Sequence, residues 1–257
     1  MTQSSEGDVS LECLCDLTRH QKAVNIVRWS GDGSLLASGD DESVIIVWHL
    51  KPKDQHGGGS LFDEDAENKE NWVVYKMIRS HLDDVYDLSW SGCGQFLLSG
   101  SVDNAAIITN VHKNSKVSHL SESRGYVQGV SWNQKHNLVS TLSSDRVCRT
   151  YNNNNKKLIS KSYKANLQFS NNSKKKKKKD DSAKTEDDTG QDGQKSEETK
   201  TETAEENAKT NSKEKEVRLF HDETFKGFFR RLTWSTDGKF FFEYYNFTLH
   251  LLLQESC

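Results

Sequence analysis

Several features of secreted and membrane proteins are missing from this sequence of 257 residues. No uninterrupted apolar run approaches the roughly 18 residues of a transmembrane helix, so we expect no membrane span. Residues 1–10 lack a basic start followed by an apolar stretch, and we expect a disordered N-terminus rather than a signal peptide. The net charge of -3 is small and gives no overall indication that the protein binds nucleic acid.

The five cysteines are an odd and scattered set, at positions 13, 15, 93, 148 and 257. Such a set does not predict a disulfide framework, and it indicates free thiols in a reducing compartment. Cys13 and Cys15 are spaced as a metal-binding pair could be, but they fall on alternate strand positions and no matching second pair exists. We therefore expect no zinc site and no cofactor.

A repeated unit of short strands organises the remaining sequence. Its clearest copy spans residues 81–108, where an alternating strand, a Gly-flanked turn and two further strands follow one another. Four copies align on Trp29, Trp90, Trp132 and Trp234, each followed by a short polar turn. Trp90 and Trp132 are 42 residues apart. A period of about 40–45 residues is typical of four-stranded propeller blades, so the repeat predicts an all-β fold, a β-propeller.

The strand pattern predicts blades across residues 11–163. Residues 11–17 are expected to form an outer strand of a preceding blade. An acidic and Gly-rich insertion at 52–71 indicates a long loop. The strands of the three blades are expected at 24–50 together with 72–78, at 85–120, and at 127–163.

Composition changes at residues 164–216. The stretch 171–216 contains no aromatic and no large aliphatic residue, so we expect disorder. Its run of six lysines is either a nuclear localisation signal or plain low-complexity sequence: Lys174, Lys175, Lys176, Lys177, Lys178 and Lys179. Residues 180–216 hold 13 acidic residues against 6 lysines. This acidic stretch either attracts basic partners such as histones or serves as a solubilising linker.

The fourth copy is incomplete in sequence. Residues 217–242 predict a partial blade, whereas 243–257 are an atypical tail in which we expect no third strand. The prediction is therefore an incomplete propeller of about three and a half blades where about four to eight are usual. Phe225, Phe228 and Phe229 form either an exposed binding patch or part of the core. We favour the core for some of them because Leu232 and Trp234 lie on the same strand.

Polar residues recur at fixed places in the units and bear on catalysis. Ser99, His81 and Asp103 could be taken for the nucleophile, base and acid of a catalytic triad. Ser38, His20 and Glu42 correspond to them in the first unit. A catalytic triad needs one copy with an exposed nucleophile and an oxyanion hole. We therefore expect buried hydrogen bonds that lock strands and turns, and no enzyme. The expected structural network comprises His20, Ser38, Trp48, His81, Ser99, Asp103, Thr141 and Asp145.

The unit resembles the WD repeat, which has a His near its start, a W-S-x-x-G turn, an S-G-S-x-D segment and a terminal Trp. Only Trp48 supplies the terminal Trp, because Thr109 and Tyr151 occupy that position in later copies. Longer strings are similar to the family of the middle, WD-repeat subunit of chromatin assembly factor 1, and the resemblance covers most of 17–163 and 217–240. These strings are NKENW (68–72), HLDDVYDLSW (81–90), SVDNAAII (101–108), YVQGVSW (126–132), TLSSDRVCRTY (141–151) and FHDETFKGFFRRLTW (220–234).

The resemblance implies a non-enzymatic nuclear scaffold within a propeller of seven blades. It implies as partners the large subunit and the small, retinoblastoma-binding WD subunit of the complex, and histones H3 and H4, which the complex deposits on replicated or repaired DNA. It implies no sequence-specific contact with nucleic acid. Two alternatives stay open: a generic WD adaptor such as a substrate receptor of a ubiquitin ligase, and the related histone-regulator chaperone of replication-independent assembly.

A partner-binding surface is expected at one face of the propeller. Loops before each innermost strand, and loops between second and third strands, lie on that face and commonly carry recognition. The first set contributes Lys22, Asn25, Asp83, Asp84, Tyr86, Arg124, Tyr126 and Gln128, and the second set contributes Asp40, Val102 and Ser144. Tyr86 and Tyr126 are candidate aromatic anchors. Tyr86 could equally pack in the core, because it alternates with Leu88 and Trp90.

Overall fold

The computed structural model describes residues 2–3, 9–52, 68–168, 214–220, 229–245 and 248–253. Every regular element in these ranges is a β-strand, and none of them contains a helix suited to crossing a membrane. Two short strands, β1 (Thr2–Gln3) and β2 (Val9–Ser10), pair antiparallel. The expectation of a disordered N-terminus is therefore wrong for these four residues, because their backbones pair as two strands.

Four antiparallel sheets, here called blades 1 to 4, contain most of the strands. Blade 1 consists of β3 (Val24–Trp29), β4 (Leu35–Asp40), β5 (Ile45–Leu50) and β6 (Trp72–Ile78). Blade 2 consists of β7 (Val85–Trp90), β8 (Phe96–Ser101), β9 (Ala106–Asn110) and β10 (Ser115–Leu120). Blade 3 consists of β11 (Val127–Trp132), β12 (Leu138–Ser143), β13 (Cys148–Asn152) and β14 (Leu158–Ser162). These sheets confirm the predicted strand order, including Trp72–Ile78 as the outer strand of blade 1.

Blade 4 is more complete than the sequence predicts. It contains β17 (Arg231–Trp234), β18 (Phe240–Tyr245) and β19 (Thr248–Leu253), in the order β17-β18-β19. The expectation that no third strand follows residue 242 is wrong, because the backbone of β18 pairs antiparallel with β19 from Phe240 opposite Leu253 to Tyr245 opposite Thr248. Antiparallel pairing of backbone groups requires no consensus motif.

Two further expectations need correction. Residues 11–17 are not a strand; this segment lies alongside the residues before β6, where the Leu14 carbonyl accepts hydrogen bonds from the N–H groups of Lys69 and Glu70. The second correction concerns the stretch 164–216, whose ends form two paired strands, β15 (Lys164–Gln168) and β16 (Glu214–Arg218). Backbone hydrogen bonds between these ends are independent of side-chain composition, so the polar sequence did not predict them. The intervening residues, including Lys174 to Lys179, lie outside the described ranges.

The turn after each innermost strand explains the polar residues that follow the tryptophans. In blade 2 the Ser91 hydroxyl accepts a hydrogen bond from the Phe96 N–H at 3.0 Å, and Ser30 does the same for Leu35 in blade 1 at 2.9 Å. Gly94 has φ 67° within this turn, a left-handed conformation that glycine adopts without strain. Blade 3 has no glycine there, and the Asn133 side chain accepts the turn's hydrogen bonds instead.

The core lies between neighbouring blades. Trp90 is 4% exposed and packs with blade 1, and Trp132 is 7% exposed and packs with blade 2. Trp29, at the equivalent position of blade 1, is 54% exposed and contacts Trp72, with ring centroids 5.2 Å apart. A tryptophan on an innermost strand is therefore covered by the blade that precedes it, and for Trp29 no such blade lies within the described ranges.

Candidate partner-binding site

The polar network of blades 1 and 2 holds the loops that carry the candidate site. His81 is fully buried, with Nε2 2.7 Å from the Ser99 hydroxyl and Nδ1 2.9 Å from the Asp103 carboxylate. Burial acts to raise the pKa of the Asp103 carboxyl, but hydrogen bonds from His81 and from backbone N–H groups outweigh it and hold the pKa at about 2. Ser99 is 1% exposed and offers no nucleophile to a substrate. The arrangement ties strand to turn, as the repeat predicted.

Blade 1 uses a different acid from the one expected. His20 lies between the Ser38 hydroxyl and the Asp40 carboxylate, 2.6 Å from each, and the Trp48 indole N–H donates to Ser38 at 2.9 Å. Spacing in the sequence aligns Glu42 with Asp103, and that assignment is wrong. The second oxygen of Asp40 accepts the backbone N–H groups of Glu42 and Val44, so this one carboxylate holds both the histidine and the turn.

Blade 3 replaces the histidine by an arginine that sequence reasoning missed. The Arg149 side chain is 4% exposed and binds both carboxylate oxygens of Asp145, at 2.6 and 3.1 Å. The available signal was Ser123 in place of a histidine together with a basic residue inside an otherwise uncharged strand. Thr141 is buried as expected, but within the described ranges no hydrogen bond joins it to Asp145.

The two sets of loops predicted at one face are hydrogen-bonded to each other within each of the first three blades. Backbone N–H groups of the second loop set donate to carbonyls of the first set: Asp41 to Ala23, Val102 to Asp84, and Ser144 to Tyr126. These bonds join the two loops within each blade. Between blades, Asn25 Nδ2 of blade 1 donates to the Val85 carbonyl of blade 2 at 3.1 Å. We call the charged and aromatic residues at this end the rim, and they are Asp41, Asp83, Asp84, Tyr86 and Tyr126.

The rim carries uncompensated negative charge. Partial burial raises the pKa of Asp84, and the neighbouring carboxylates of Asp41 and Asp83 raise it further. Burial also raises the pKa of Tyr86, with Asp84 and Asp41 contributing. No lysine or arginine of the described segments forms an ion pair with the three aspartates, and Asn25 is the side chain that binds Asp41, at 2.5 Å. A cation brought to the rim would relieve this repulsion.

The other predicted surface residues differ in what they expose. Tyr126 is 50% exposed and stands free at the rim, whereas Gln128 is only 8% exposed and has little surface for a partner. Lys22 and Arg124 are exposed, and the Arg124 backbone N–H donates to Asp145. Asp40 belongs to the buried network, and Val102 and Ser144 are half-buried.

Tyr86 is partly packed and partly exposed, so it lies between the two predicted roles of core residue and surface anchor. It is half-buried, and its ring meets the edge of Phe229 at 5.5 Å between centroids. Phe229 is 37% exposed, and the Arg231 guanidinium lies 4.6 Å from its ring centroid. A β-bulge between Val85 and Asp87 breaks the alternation of β7, which explains why Tyr86 does not share the burial of Leu88 and Trp90. Phe225 and Phe228 lie outside the described residues.

Groups of three or more potential metal ligands are absent from the described segments. Cys13 is exposed and Cys15 is half-buried, and both are free thiols. Cys93 is an exposed thiol whose pKa is lowered by the Ser91 hydroxyl, and Cys148 is buried.

Residues 1–192 match the family model of the CAF1B/HIR1 β-propeller domain. The chain is 37% identical over 235 residues to the CAF1B subunit of chromatin assembly factor 1 from Gallus gallus, and 35% identical over 243 residues to that from Mus musculus. These alignments cover 91% and 93% of this chain and 35% of each relative. Protein HIR1 of Cryptococcus neoformans var. neoformans serotype D is 34% identical over 169 residues, covering 65% of this chain and 19% of the relative. The chain thus spans about a third of the length of the CAF1B relatives, and the predicted resemblance and propeller fold are confirmed.

Proposed function

Because the chain belongs to the CAF1B/HIR1 β-propeller family, we propose that it is a non-catalytic scaffold of a histone H3–H4 chaperone complex. The complex would assemble nucleosomes during DNA replication and repair. The observation that carries this proposal is the similarity to the CAF1B subunit of chromatin assembly factor 1 over 91% of the chain. The buried Ser99 and the repetition of its histidine and acid partners support a role without catalysis.

The rim is the proposed contact for a basic segment of a partner, either a histone or an arginine-bearing stretch of the large subunit. Its three aspartates create a negative potential that attracts lysine and arginine and speeds encounter. Exposed ion pairs are each worth only about 0–1 kcal/mol, so charge alone gives little affinity. Tyr126 supplies the aromatic surface that interface hot spots commonly use.

The proposed function also implies partner subunits and a cellular location for this chain. We propose that the large subunit and the small, retinoblastoma-binding WD subunit assemble on this chain in the nucleus. The relatives' names place them in chromatin assembly, which supports a nuclear site of action. The six lysines at 174–179 are proposed as the localisation signal, and the acidic stretch that follows them as a second attraction for basic partners.

A second candidate is the replication-independent histone-regulator complex. The similarity to HIR1 favours it, because the identity of 34% is close to that of the CAF1B relatives. The CAF1B alignment nevertheless extends over 91% of the chain, compared with 65% for HIR1. A generic adaptor of a ubiquitin ligase is the remaining alternative.

Co-purification distinguishes these candidates. The tagged 257-residue chain is mixed separately with purified H3–H4, the large chromatin-assembly subunit, the partner subunits of the HIR complex, and a cullin adaptor. We expect capture of the large subunit and of H3–H4. Capture of the cullin adaptor without histones would contradict the proposal, and capture of HIR-complex subunits in preference to the large subunit would favour the second candidate.

Charge reversal tests whether the rim is the contact. The double variant Asp83→Lys, Asp84→Lys should capture less H3–H4 or large subunit than the wild type while keeping its fold. The matched control is Glu12→Lys, Asp16→Lys, which makes the same change of charge in the segment beside β6. Equal losses from both double variants would mean that overall charge, and not the rim, governs capture.

A further inference from the structure

A cavity of about 580 Å³ lies between the innermost strands of the four blades. The rim residues precede or begin β7 and β11, whereas the cavity is bordered by the ends of these strands and by the turns that follow them. Its walls come from β3, β7, β11 and β17. The lining includes Arg28, Leu88, Trp132, Arg231, Thr233 and Trp234.

Two arginines of this cavity share one carboxylate. Arg231 Nη1 lies 2.8 Å from Asp87 Oδ1, and Arg28 Nη2 lies 3.3 Å from the same oxygen. The second oxygen, Asp87 Oδ2, accepts the Val130 backbone N–H at 2.9 Å. The Asp87 side chain is 1% exposed, so it is enclosed by these partners. Two positive charges are thus balanced by one negative charge.

Arg28 is the arginine that is better placed to donate hydrogen bonds to a ligand. Its side chain is 41% exposed, compared with 20% for Arg231. Its two hydrogen bonds within the described segments go to Asp87 and to the Val27 carbonyl, although a guanidinium carries five N–H donors. Burial lowers the pKa of Arg28, Asp87 opposes this, and the neighbouring charge of Arg231 lowers it again. An additional anion would offset the repulsion between the two guanidinium groups.

The lining of the cavity suits an acidic side chain with an aliphatic stem. Trp132, Trp234 and Leu88 provide apolar walls, while Ser131, Gln134 and other polar groups provide hydrogen-bonding partners. Ligand cavities commonly combine mostly apolar walls with a few polar groups that fix orientation, in volumes of about 300–1,000 Å³. A carboxylate also matches the planar fork of a guanidinium with two parallel hydrogen bonds.

We propose that this cavity binds a glutamate or aspartate side chain of an acidic peptide segment from a partner protein, with Arg28 as the principal donor. The site is chemically distinct from the rim because it selects the opposite charge. The two are adjacent, since Arg231 of the cavity donates to the carbonyl of the rim residue Tyr86 at 2.6 Å. The same protein can then hold a basic partner at the rim and an acidic partner in the cavity.

Fluorescence anisotropy with the full 257-residue chain tests the proposal. The probe is a fluorescein-labelled hexaglutamate peptide, and labelled hexaglutamine is the neutral control. We expect saturable binding of hexaglutamate, weakened by added salt, and no comparable binding of hexaglutamine. Arg28→Gln should weaken hexaglutamate binding roughly tenfold or more, because a charge-assisted, two-pronged contact is lost. Arg218→Gln, an exposed arginine outside the cavity, should bind as the wild type does.

A second variant separates binding from folding. Thr233 is an exposed residue of the cavity wall, two positions beyond Arg231 on the same face of β17. Thr233→Glu should supply a carboxylate from within the chain and abolish hexaglutamate binding, whereas the uncharged Thr233→Gln, of the same size as the glutamate variant, should retain it. Loss of binding in both Thr233 variants, unchanged binding in Arg28→Gln, or equal binding of hexaglutamine would overturn the proposal. Binding of inorganic phosphate without binding of hexaglutamate would also overturn it.

Discussion

Arg231 reaches Asp87 across 144 residues of sequence, with Nη1 2.8 Å from Oδ1. The same guanidinium donates to the carbonyls of Tyr86 at 2.6 Å and Asn25 at 2.9 Å. One side chain of blade 4 is therefore bonded to the innermost strands of blades 1 and 2. This single residue joins the first and last described sheets of the repeat, which makes its removal informative.

Arg231→Gln should destabilise the protein by about 3–5 kcal/mol, because it leaves the buried Asp87 carboxylate without its closest cation. Arg28→Gln should cost less, since the contact is longer and Arg28 is more exposed. Urea unfolding of the two variants gives the comparison. A smaller loss from Arg231→Gln than from Arg28→Gln would show that Asp87 does not depend on the shorter contact.

The same variant should reverse the usual response to acid. Burial raises the pKa of Asp87, and the arginines oppose that rise. Without Arg231 the folded state should bind the proton still more tightly than the unfolded state. A carboxyl whose pKa is higher when folded stabilises the folded state as pH falls through that pKa. Relative to the wild type, Arg231→Gln should therefore recover stability as the pH falls toward the ordinary aspartate pKa of about 4, which urea titrations at several pH values would measure.

Asp103 predicts the opposite pH dependence. Its pKa in the folded protein is held at about 2, below the ordinary aspartate value of 3.8. Its contribution to stability is present above the unfolded pKa and is lost as pH falls through the folded one. We expect Asp103→Asn to remove part of the acid sensitivity between about pH 4 and pH 2 and to cost about 1–2 kcal/mol at neutral pH, allowing for solvent screening. An acid-unfolding profile identical to that of the wild type would contradict this.

Gly100 tests how closely the blades approach. A Cβ at this position would lie 2.7 Å from Val127 Cγ1 and 2.8 Å from Val130 Cγ1, both in the next blade. Gly100→Ala should destabilise the protein by about 1–3 kcal/mol through overpacking. Gly31→Ala is the matched control, because its Cβ would meet no described atom closer than the Gly92 carbonyl oxygen at 3.7 Å. Equal thermal stabilities of the two variants would show that the blades separate without cost.

The blades were predictable because period-2 alternation and the tryptophan register are local signals repeated four times. The acid of blade 1 was not, since spacing aligns Glu42 with Asp103 and only geometry shows that Asp40 reaches His20. β19 was missed because backbone pairing requires no motif. Arg149 was missed because one repeat replaced a histidine by an arginine from another strand.

The rim and the cavity also differ in how far the sequence predicts them. The rim was predictable in part, because its loops follow from the repeat and its aspartates are adjacent in sequence. The cavity was not, because Arg28 and Arg231 belong to different blades and share Asp87 of a third. Sequence periodicity specifies a strand's position within its blade but not which side chains of separate blades meet.

A substitution of Asp84 is expected to weaken partner binding without lowering the stability of the fold. Its carboxyl lies beside those of Asp41 and Asp83, and this proximity together with partial burial raises its pKa, so the ionised cluster opposes the folded state. Asp84→Asn removes one charge while keeping the shape of the side chain. Urea unfolding at neutral pH should therefore show equal or greater stability than the wild type. Proteins commonly retain such destabilising charge where function needs it.

The same variant should bind a basic partner more slowly. Fewer negative charges at the rim weaken the attraction that steers a cationic segment, so association with H3–H4 should slow while dissociation changes less. Stopped-flow measurements at low and at physiological salt would show a smaller salt dependence for Asp84→Asn than for the wild type. Glu12→Gln, in the segment beside β6, controls for the loss of one charge elsewhere. A variant that is less stable yet associates at the wild-type rate would place Asp84 in the fold and remove it from the binding surface.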